Sequence, residues 1–367
     1  MVPLNQWIKI KAPATVANMV CGFDILGFAV NNPYDEMEMR MVARCVDQSR
    51  SDKPSGSLNK ADRVDKAAIT IINIDDYNLP TDPEKNVAGA ALIAMIEEYT
   101  ANNFNKTLLY EDSDTSSNTN DSLIKIETNI GFIDFSKIGF EVKINKLIKP
   151  GSGVGSSAAS SAGAVVGANY LLGNPFSKDD LVRFAMNGEK VASGVKHADN
   201  IAPCIHGGVT LVRSIFPLEV IALPSPTLYV TIVHPQIEVR TADARSILKQ
   251  NVKLKDAIKQ WGNIAGLVAG LMKGDYDLIG RSLEDVIIEP VRSILIPGFD
   301  DLKKACKAVG ALGGGISGSG PSIFFLSKEK ETALAVENEM KKLYLSLGLA
   351  HHTYVTTINQ TGVEIKA

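Results

Sequence analysis

Several features that point to a metal-binding, disulfide-bonded or nucleic-acid-binding protein are missing from this sequence. Its four cysteines lie far apart, without the C-x-x-C spacing of zinc sites, and its five histidines form no H-x-x-x-H pair. The formal net charge is −3, and basic residues are mixed with acidic ones, so there is no basic stripe of the kind that nucleic acid requires. The expected partner is therefore a small molecule and not a nucleic acid.

Long apolar runs are missing as well. The sequence has no run of 18 apolar residues, and its first ten residues lack the apolar centre of a signal peptide. We therefore expect a soluble, cytoplasmic protein that has no membrane partner.

The length of the chain indicates more than one domain. Its 367 residues exceed the roughly 250–300 that one hydrophobic core usually serves. Prolines interrupt the pattern at 216–217 and 224–226, which places a boundary in the region 210–226. We predict an N-terminal domain over residues 1–210 and a C-terminal domain over 211–367.

Hydrophobic patterning and breaker residues predict an α+β protein in which the C-terminal part forms a layer of helices on an antiparallel sheet. Two polar segments, 47–66 and 111–122, are predicted to be surface insertions, and the second has no expected catalytic role. The predicted strands are 7–11, 38–46, 123–128, 139–145, 228–233, 322–327 and 353–357. The predicted helices are 86–100, 157–172, 178–192, 254–273, 276–286 and 300–310.

The segment 147–161 is rich in glycine and serine and runs straight into a helical pattern. Gly151, Gly153 and Gly155 would let the backbone approach an anion closely, and the first N–H groups of the helix would point at it, which favours phosphate. No lysine follows Gly155, so the Walker A pattern is not matched. The alternative is a glycine-serine linker, but a linker would not continue into an apolar helix.

A second glycine-rich segment, 313–321, contains the spacing G-x-G-x-x-G of dinucleotide-binding loops. In a Rossmann fold that motif follows a strand and opens a helix. This segment instead follows a predicted helix and leads into a predicted strand. A dinucleotide-binding loop is therefore rejected.

Two further places put polar side chains in apolar surroundings. Asn18 and Asp24 lie in the mainly apolar segment 12–27, where capping of turns is an equally good interpretation. On the predicted helix 178–192, with Ser177 as its N-cap, Glu189 falls near the middle of the apolar arc. A glutamate that faces inward needs a partner, and the alternative is an exposed side chain on an imperfectly amphipathic helix.

Taken together, three segments resemble the motifs of the GHMP small-molecule kinases in sequence, order and spacing. They are A-P-A-T-x-A-N-x-x-x-G-F-D-x-L-G at 12–27, G-S-G-x-G-S-S-A-A at 151–159 and G-I-S-G-S-G-P at 315–321. The resemblance implies the two-domain GHMP kinase fold, with an N-terminal domain like domain 2 of ribosomal protein S5 and a ferredoxin-like C-terminal domain. It also implies that the third motif packs beside the phosphate loop.

Within that superfamily the chain resembles the homoserine kinases, through the segments 197–208, 240–248 and 289–299. The resemblance extends from about residue 8 to the C-terminus and leaves out only the two polar insertions. Two departures are visible: Pro150 stands directly before Gly151, and Cys21 lies in the first motif. Neither departure removes a functional side chain.

The resemblance implies transfer of the γ-phosphoryl group of ATP to the side-chain hydroxyl of L-homoserine, a step in threonine biosynthesis. Mg²⁺ would be held by Ser157 and Glu189, because a hard cation takes oxygen ligands. The adenine would lie beside Asn86 and Val87. The implied phosphate-binding loop consists of Pro150, Gly151, Ser152, Gly153, Val154, Gly155, Ser156 and Ser157.

The same resemblance assigns a homoserine site. Arg292 and Arg245 would hold the carboxylate through bidentate hydrogen bonds, and Asp24 would bind the ammonium group. Asn18, His197, Asn200 and Thr241 would complete the pocket, although each is also typical of an ordinary loop residue.

The catalytic candidates are Asp199, Asn200 and Glu189. Asp199 stands where related kinases carry a catalytic aspartate. The neighbouring Asn200 could occupy that position instead and leave the proton to the phosphate. Both possibilities stay open, because a phosphoryl transfer that relies on positioning and charge neutralisation does not require a strong base.

Two alternative functions stay open. The first is another GHMP kinase, acting on mevalonate, a sugar or shikimate, although paired Arg245 and Arg292 favour an amino-acid carboxylate over a neutral sugar. The second is a catalytically silent sensor of ATP and an amino acid, against which the intact Ser157 and Glu189 argue. A homodimer is implied by the resemblance alone.

Overall fold

The computed structural model describes residues 2–44, 68–113 and 133–366. The predicted insertion at 47–66, the predicted strand at 123–128 and residues 114–122 of the second predicted insertion lie outside the described residues. Within the described ranges, no helix combines the length and the apolar character that crossing a membrane requires.

The strands and helices follow one another as an α+β protein. The strands are β1 (Ile8–Ala17), β2 (Leu26–Ala43), β3 (Ile69–Asn73), β4 (Ile138–Asn145), β5 (Val209–Ile215), β6 (Leu218–Leu223), β7 (Tyr229–Pro235), β8 (Gly313–Ile316), β9 (Ile323–Ser327), β10 (His351–Thr357) and β11 (Glu364–Lys366). The helices are α1 (Val87–Ser113), α2 (Ser156–Leu171), α3 (Lys178–Ser193), α4 (Ile201–His206), α5 (Thr241–Ser246), α6 (Leu254–Lys273), α7 (Tyr276–Ser282), α8 (Glu289–Arg292), α9 (Phe299–Ala308) and α10 (Lys330–Ser346), with a 3₁₀ turn at Ser293–Leu295.

The first sheet contains seven of the described strands, in the order β11-β1-β2-β4-β3, with β5 beside β2 and β6 beside β5. The pair β3–β4 is parallel and the other pairs are antiparallel. Helices α1 to α4 pack on this sheet through a core that includes Met39, Leu92, Val165 and Phe184. Strands β6 and β11 and most of β5 belong to this sheet, although these residues fall in the predicted C-terminal domain. The domain boundary at 210 stays a prediction.

The second sheet has the order β10-β7-β9-β8 and is antiparallel throughout, as the sequence predicts. Helices α9 and α10 supply residues such as Leu302 and Met340 to a core on one side of it. A further core joins the two sheets, where the rings of Phe28 and Phe324 meet edge-on with centroids 5.5 Å apart. This shared core holds the loops of both sheets in fixed positions relative to one another.

Several elements differ from the predicted ones. Helix α1 continues past the predicted end at residue 100 and into the predicted insertion as far as Ser113, and α10 lies outside the predicted helices. Strand β2 begins at Leu26 and runs through Asn31, Asn32 and Pro33, residues that are typical of turns, so the predicted strand 38–46 overlaps only its last third. Strand β8 lies inside the second glycine-rich segment, where propensity argues against a strand. Helix α7 ends at Ser282, and the irregular residues after it lead to α8.

Candidate active site

A cleft of about 390 Å³ lies where the loop after β1, the glycine loop before α2 and the turn between β8 and β9 meet. Most of the site residues predicted from the sequence line this cleft, although they come from distant parts of the chain. They are Asn18, Asp24, Val87, Pro150, Gly151, Gly153, Gly155, Ser156, Ser157, Glu189, His197, Asp199, Asn200, Thr241, Arg245 and Arg292.

Three of the predicted site residues do not line the cleft: Asn86, Ser152 and Val154. The buried Asn86 side chain accepts a hydrogen bond from the N–H of Ala88 at 2.9 Å and donates to the carbonyl of Pro80 at 2.6 Å, so it caps the start of α1. The backbone carbonyl of Val154 accepts from the N–H of Thr15, and that of Ser152 accepts from the N–H of Ser322. These contacts fix the glycine loop against β1 and against the start of β9.

The glycine loop needs glycine for two different reasons. Gly153 and Gly155 both have φ values in the left-handed region, +85° and +71°. A Cβ at Gly153 would lie 2.5 Å from the carbonyl oxygen of Gly320, and a Cβ at Gly155 would lie 2.0 Å from Oγ1 of Thr15. The loop therefore combines an unusual backbone conformation with close approach of its neighbours.

Helix α2 begins at Ser156, directly after the left-handed Gly155, and no side chain caps its N-terminus. Its first N–H groups therefore lack the hydrogen bond that an N-cap side chain usually accepts from them. Unpaired N–H groups and the positive end of the helix dipole at this point of the cleft would favour an anion.

The third motif packs against this loop, as predicted. Ser317 donates from Oγ to the carbonyl of Gly153 at 2.7 Å, and the N–H of Gly318 donates to the carbonyl of Ala17 at 3.3 Å. The turn between β8 and β9 therefore joins the glycine loop to the end of β1.

Ser157 of α2 and Glu189 of α3 contact each other in the cleft. The Ser157 hydroxyl donates to Oε2 of Glu189 at 2.9 Å. The α3 helix that presents Glu189 begins at the predicted N-cap Ser177, which forms a capping box with Asp180. Burial raises the pKa of Glu189, and the hydrogen bond from Ser157 opposes that rise.

Arg292 lies at the end of α8 and is only 4% exposed. Its Nε donates to the carbonyl of Ala244 at 2.9 Å, its Nη1 donates to the carbonyl of Gly318 at 3.2 Å, and its guanidinium lies 4.8 Å from the ring centre of Phe23. Burial lowers the pKa of Arg292 to about 10, so the group stays cationic at neutral pH. The result is a fixed, oriented cation in the wall of the cleft.

Arg245 and Asp24 contact each other directly. Nη2 of Arg245 donates to Oδ1 of Asp24 at 2.8 Å. Asn18 holds the same loop, since its Oδ1 accepts from the N–H of Asp24 at 3.1 Å and its Nδ2 donates to the carbonyl of Gly318 at 2.7 Å. This wall of the cleft therefore presents Asp24, Arg245 and Arg292, of which Arg245 and Asp24 form a pair.

His197 and Thr241 complete this wall. Nδ1 of His197 lies 3.9 Å from Oδ1 of Asp24, and its buried Nε2 has no hydrogen-bond partner among the described residues. Burial lowers the pKa of His197, with Arg245 acting in the same direction and Asp24 against it. Oγ1 of Thr241 lies 3.2 Å from Oγ of Ser319.

Asp199 and Asn200 are adjacent in sequence but have different surroundings. Asp199 is 4% exposed, and burial, followed by the nearby charges of Asp24 and Glu189, raises its pKa to about 7. The Oδ1 atom of Asn200 accepts a hydrogen bond from Thr15 Oγ1 at 2.7 Å, beside Gly155. Asn200 therefore faces the glycine loop, whereas Asp199 lies between two other carboxylates.

A buried lysine that is absent from the predicted site residues, Lys146, contacts the glycine loop. Lys146 forms an ion pair with Asp35 and donates to the carbonyl of Ser156 at 2.7 Å and to Oγ of Ser160 at 3.0 Å. Asp35 also accepts from the N–H of Leu147 at 2.9 Å, so the pair fixes both ends of the loop. A signal was available: Asp35 shares the inward-facing positions of β2 with the methionines at 37, 39 and 41.

Family models match both halves of the chain. The model described as "GHMP kinases N terminal domain" matches residues 122–208, and the model described as "GHMP kinases C terminal" matches residues 267–345. The first match contains the glycine loop with Ser157, Glu189 and Asp199. The second contains Arg292 and the third motif.

Comparison with individual proteins narrows the family. The homoserine kinase of Chlorobium phaeobacteroides is 42% identical over 357 residues, which cover 96% of this chain and 98% of that protein. The crystal structure of the homoserine kinase from Cytophaga hutchinsonii is 44% identical, with a TM-score of 0.77 and coverage of 100% of this chain and 99% of that one. The crystal structure of L. major mevalonate kinase in complex with R-mevalonate is 14% identical, with a TM-score of 0.63 and coverage of 99% of this chain and 100% of that one, and it shares the fold alone. The chain therefore belongs to the GHMP kinases and, within them, to the homoserine kinases.

Proposed function

We propose that the chain transfers the γ-phosphoryl group of ATP to the hydroxyl of L-homoserine and releases O-phospho-L-homoserine and ADP, as a step in threonine biosynthesis. The observation that carries the proposal is the composition of the cleft. An uncapped helix N-terminus above a glycine loop forms one side, and Arg292 with the Arg245–Asp24 pair forms the other. The first side suits polyphosphate, and the second suits an α-amino acid.

The nucleotide phosphates would lie on the glycine loop. Gly151, Gly153 and Gly155 line the cleft, and the N–H groups of the first turn of α2 would donate to phosphate oxygens. Val87, which lines the same cleft at the start of α1, would contact the nucleoside part. Asn86 is occupied with capping α1 and would support the adenine site only indirectly.

The Ser157–Glu189 pair suits Mg²⁺. A hydroxyl and a carboxylate are the hard oxygen donors that this ion prefers, and Mg²⁺ usually takes only one or two protein ligands beside phosphates and water. Because burial makes ionisation of Glu189 costly, a cation bound beside it would offset that cost. When bound, the ion would neutralise charge on the phosphates. The described residues contain no group of three or more His, Cys, Asp or Glu that could hold a metal ion.

The amino acid would bind at the opposite wall. Arg292 is held by two backbone carbonyls and the ring of Phe23, so its orientation is fixed before the substrate carboxylate arrives. Asp24 would bind the ammonium group, and Arg245, held beside Asp24, would help Arg292 to bind the carboxylate. Asn18, His197 and Thr241 would supply the remaining hydrogen bonds.

The reaction would depend mainly on positioning and charge neutralisation. Asn200, beside Gly155 and Thr15, would face the transferred phosphoryl group, and the hydroxyl proton would leave to a phosphoryl oxygen. Asp199 is the alternative proton acceptor, since its pKa of about 7 is suited to general-base catalysis. The pH profile of kcat/KM for Asp199→Asn distinguishes them, because loss of a base costs about 10²–10⁴-fold.

Coupled ADP release with Mg·ATP tests the function. L-homoserine should be turned over in preference to L-threonine, L-serine, mevalonate and galactose. Arg292→Lys should raise the KM for homoserine by at least about tenfold, because one ammonium cannot replace a bidentate fork. Arg281→Lys, an exposed arginine of α7, is the control. Preference for another alcohol would contradict the assignment of homoserine as the substrate. ATP binding without turnover would favour the catalytically silent sensor.

A homodimer and a cytoplasmic location stay predictions from the sequence. Sedimentation of the purified chain tests the first.

A further inference from the structure

The short helix that carries Arg292 is held by a carboxylate outside it. Asp285 is 6% exposed. Its carboxylate accepts hydrogen bonds from the backbone N–H groups of Ile287 at 2.8 Å, Ile288 at 3.0 Å and Glu289 at 2.9 Å. Helix α8 has only four residues, and a helix of this length is not stable by itself. The position of Arg292 at its end therefore depends on how Asp285 anchors its start.

One buried side chain connects this anchor to the loop that bears Asp24. Gln260 of α6 is 5% exposed and uses both ends of its amide. Its Nε2 donates to the carbonyl of Cys21 at 2.8 Å, and its Oε1 accepts from the N–H of Val286 at 3.0 Å. Cys21 lies in the loop between Asn18 and Asp24, and Val286 follows Asp285. Gln260 thus joins the loop that bears Asp24 to the segment that bears Arg292.

We propose that Gln260 and Asp285 are positioning residues, which together set the spacing between the Arg292 guanidinium and the loop of Asn18 and Asp24. This inference rests on the proposed function. An α-amino acid carries its ammonium and carboxylate on a single carbon, so a site that binds both groups tolerates little change in the distance between Arg292 and Asp24. A ligand that contacts only one of these two residues does not depend on that distance.

The test replaces the bridging amide with a side chain of similar length that forms no strong hydrogen bond. Gln260→Met should raise the KM for homoserine by about tenfold and leave the KM for ATP within about twofold. Asn263→Ala is the matched control, because Asn263 lies one turn further along α6 and donates to the carbonyl of Glu284 at 2.8 Å without reaching the Asp24 loop. Both KM values of this control should stay within about twofold of the wild type.

A second substrate separates positioning from general damage. 4-Hydroxybutyrate has the carboxylate and the hydroxyl of homoserine but no ammonium, so it would contact Arg292 without requiring Asp24. In Gln260→Met the ratio of kcat/KM for homoserine to that for 4-hydroxybutyrate should fall by about fivefold or more. An equal loss on both substrates, or a KM for ATP that rises in step, would overturn the proposal.

Asp285 provides an independent variant if Gln260→Met does not fold. Asp285→Asn keeps one acceptor oxygen and should give a smaller rise in the homoserine KM than Asp285→Ala, with the KM for ATP unchanged in both. An unaltered homoserine KM in the Asp285 variants would refute the inference while the proposed function stands. A wild type without activity on homoserine would instead refute the proposed function, and this inference with it.

Discussion

Removal of the buried Asp199 carboxylate should stabilise the protein, and the gain should grow with pH. Burial, reinforced by Asp24 and Glu189, raises the pKa of Asp199 from 3.8 to about 7. A carboxyl group whose pKa is higher in the folded state binds its proton more tightly there. Its stabilising contribution is therefore complete below the unfolded pKa and is lost as the pH rises through the folded pKa.

The size of the effect follows from the shift. At pH 8 the shifted pKa of Asp199 lowers the free energy of unfolding by about 4 kcal/mol, at 1.36 kcal/mol per pKa unit. At pH 5.5 it lowers the free energy of unfolding by about 2 kcal/mol. An asparagine side chain at this position would carry no charge at either pH. We expect the stability gain of Asp199→Asn to be about 2 kcal/mol larger at pH 8 than at pH 5.5.

Urea unfolding of the ligand-free protein at the two pH values measures this difference. Asp301→Asn, on the exposed side of α9, reports the general effect of removing a carboxylate. A difference between Asp199→Asn and the wild type that does not change with pH would show that Asp199 does not keep its proton in the folded state. It would also remove the basis for Asp199 as a base near neutral pH.

Three further predictions concern the glycine loop and its surroundings. Gly155→Ala should weaken ATP binding, measured by titration, far more than Gly151→Ala. Both glycines have left-handed φ values, but only a Cβ at Gly155 would collide with a neighbouring atom, Oγ1 of Thr15. Equal losses of ATP affinity would contradict this steric argument. Glu189→Gln should raise the Mg²⁺ concentration needed for half-maximal turnover, and an unchanged Mg²⁺ dependence would exclude Glu189 as a ligand. Lys146→Met should cost about 3–5 kcal/mol in urea unfolding, since it leaves the buried Asp35 charge unpaired, and a cost near that of a surface substitution would contradict a buried ion pair.

The parts of the site that could be predicted from the sequence are those in which chemistry constrains the backbone locally. Glycines with left-handed φ before an uncapped helix, and Ser177 as an N-cap, leave a pattern within a few residues. The meeting of three distant segments in one cleft could be expected only through the family resemblance. Propensity and spacing contain no information on which loops lie together.

The remaining features depend on contacts between distant residues. Asn86 stands in a segment that resembles a nucleotide-binding one, yet its side chain caps α1, because asparagine serves both purposes equally well. No local sequence pattern indicates that Arg245 pairs with Asp24 or that Gln260 joins the loop of Asp24 to the segment before Arg292, because only the assembled fold brings these residues together. Strand β2 passes Pro33 at an irregularity in its pairing with β1, where the register shifts between the pairs Pro13–Tyr34 and Thr15–Ala29, and the local turn signal does not show that regular pairing continues on either side of it.

The pairing of β11 with β1 has a consequence for biosynthesis. Lys9 lies opposite Lys366, so this edge of the first sheet joins strands from the two extremes of the described chain. Contacts across such a separation form late, because the intervening chain must be made and ordered first. While the ribosome is still adding residues, the strand that leads into the Asn18–Asp24 loop has one side open to other chains. Production of active kinase should thus depend on chaperone protection of that edge until residue 366 has emerged.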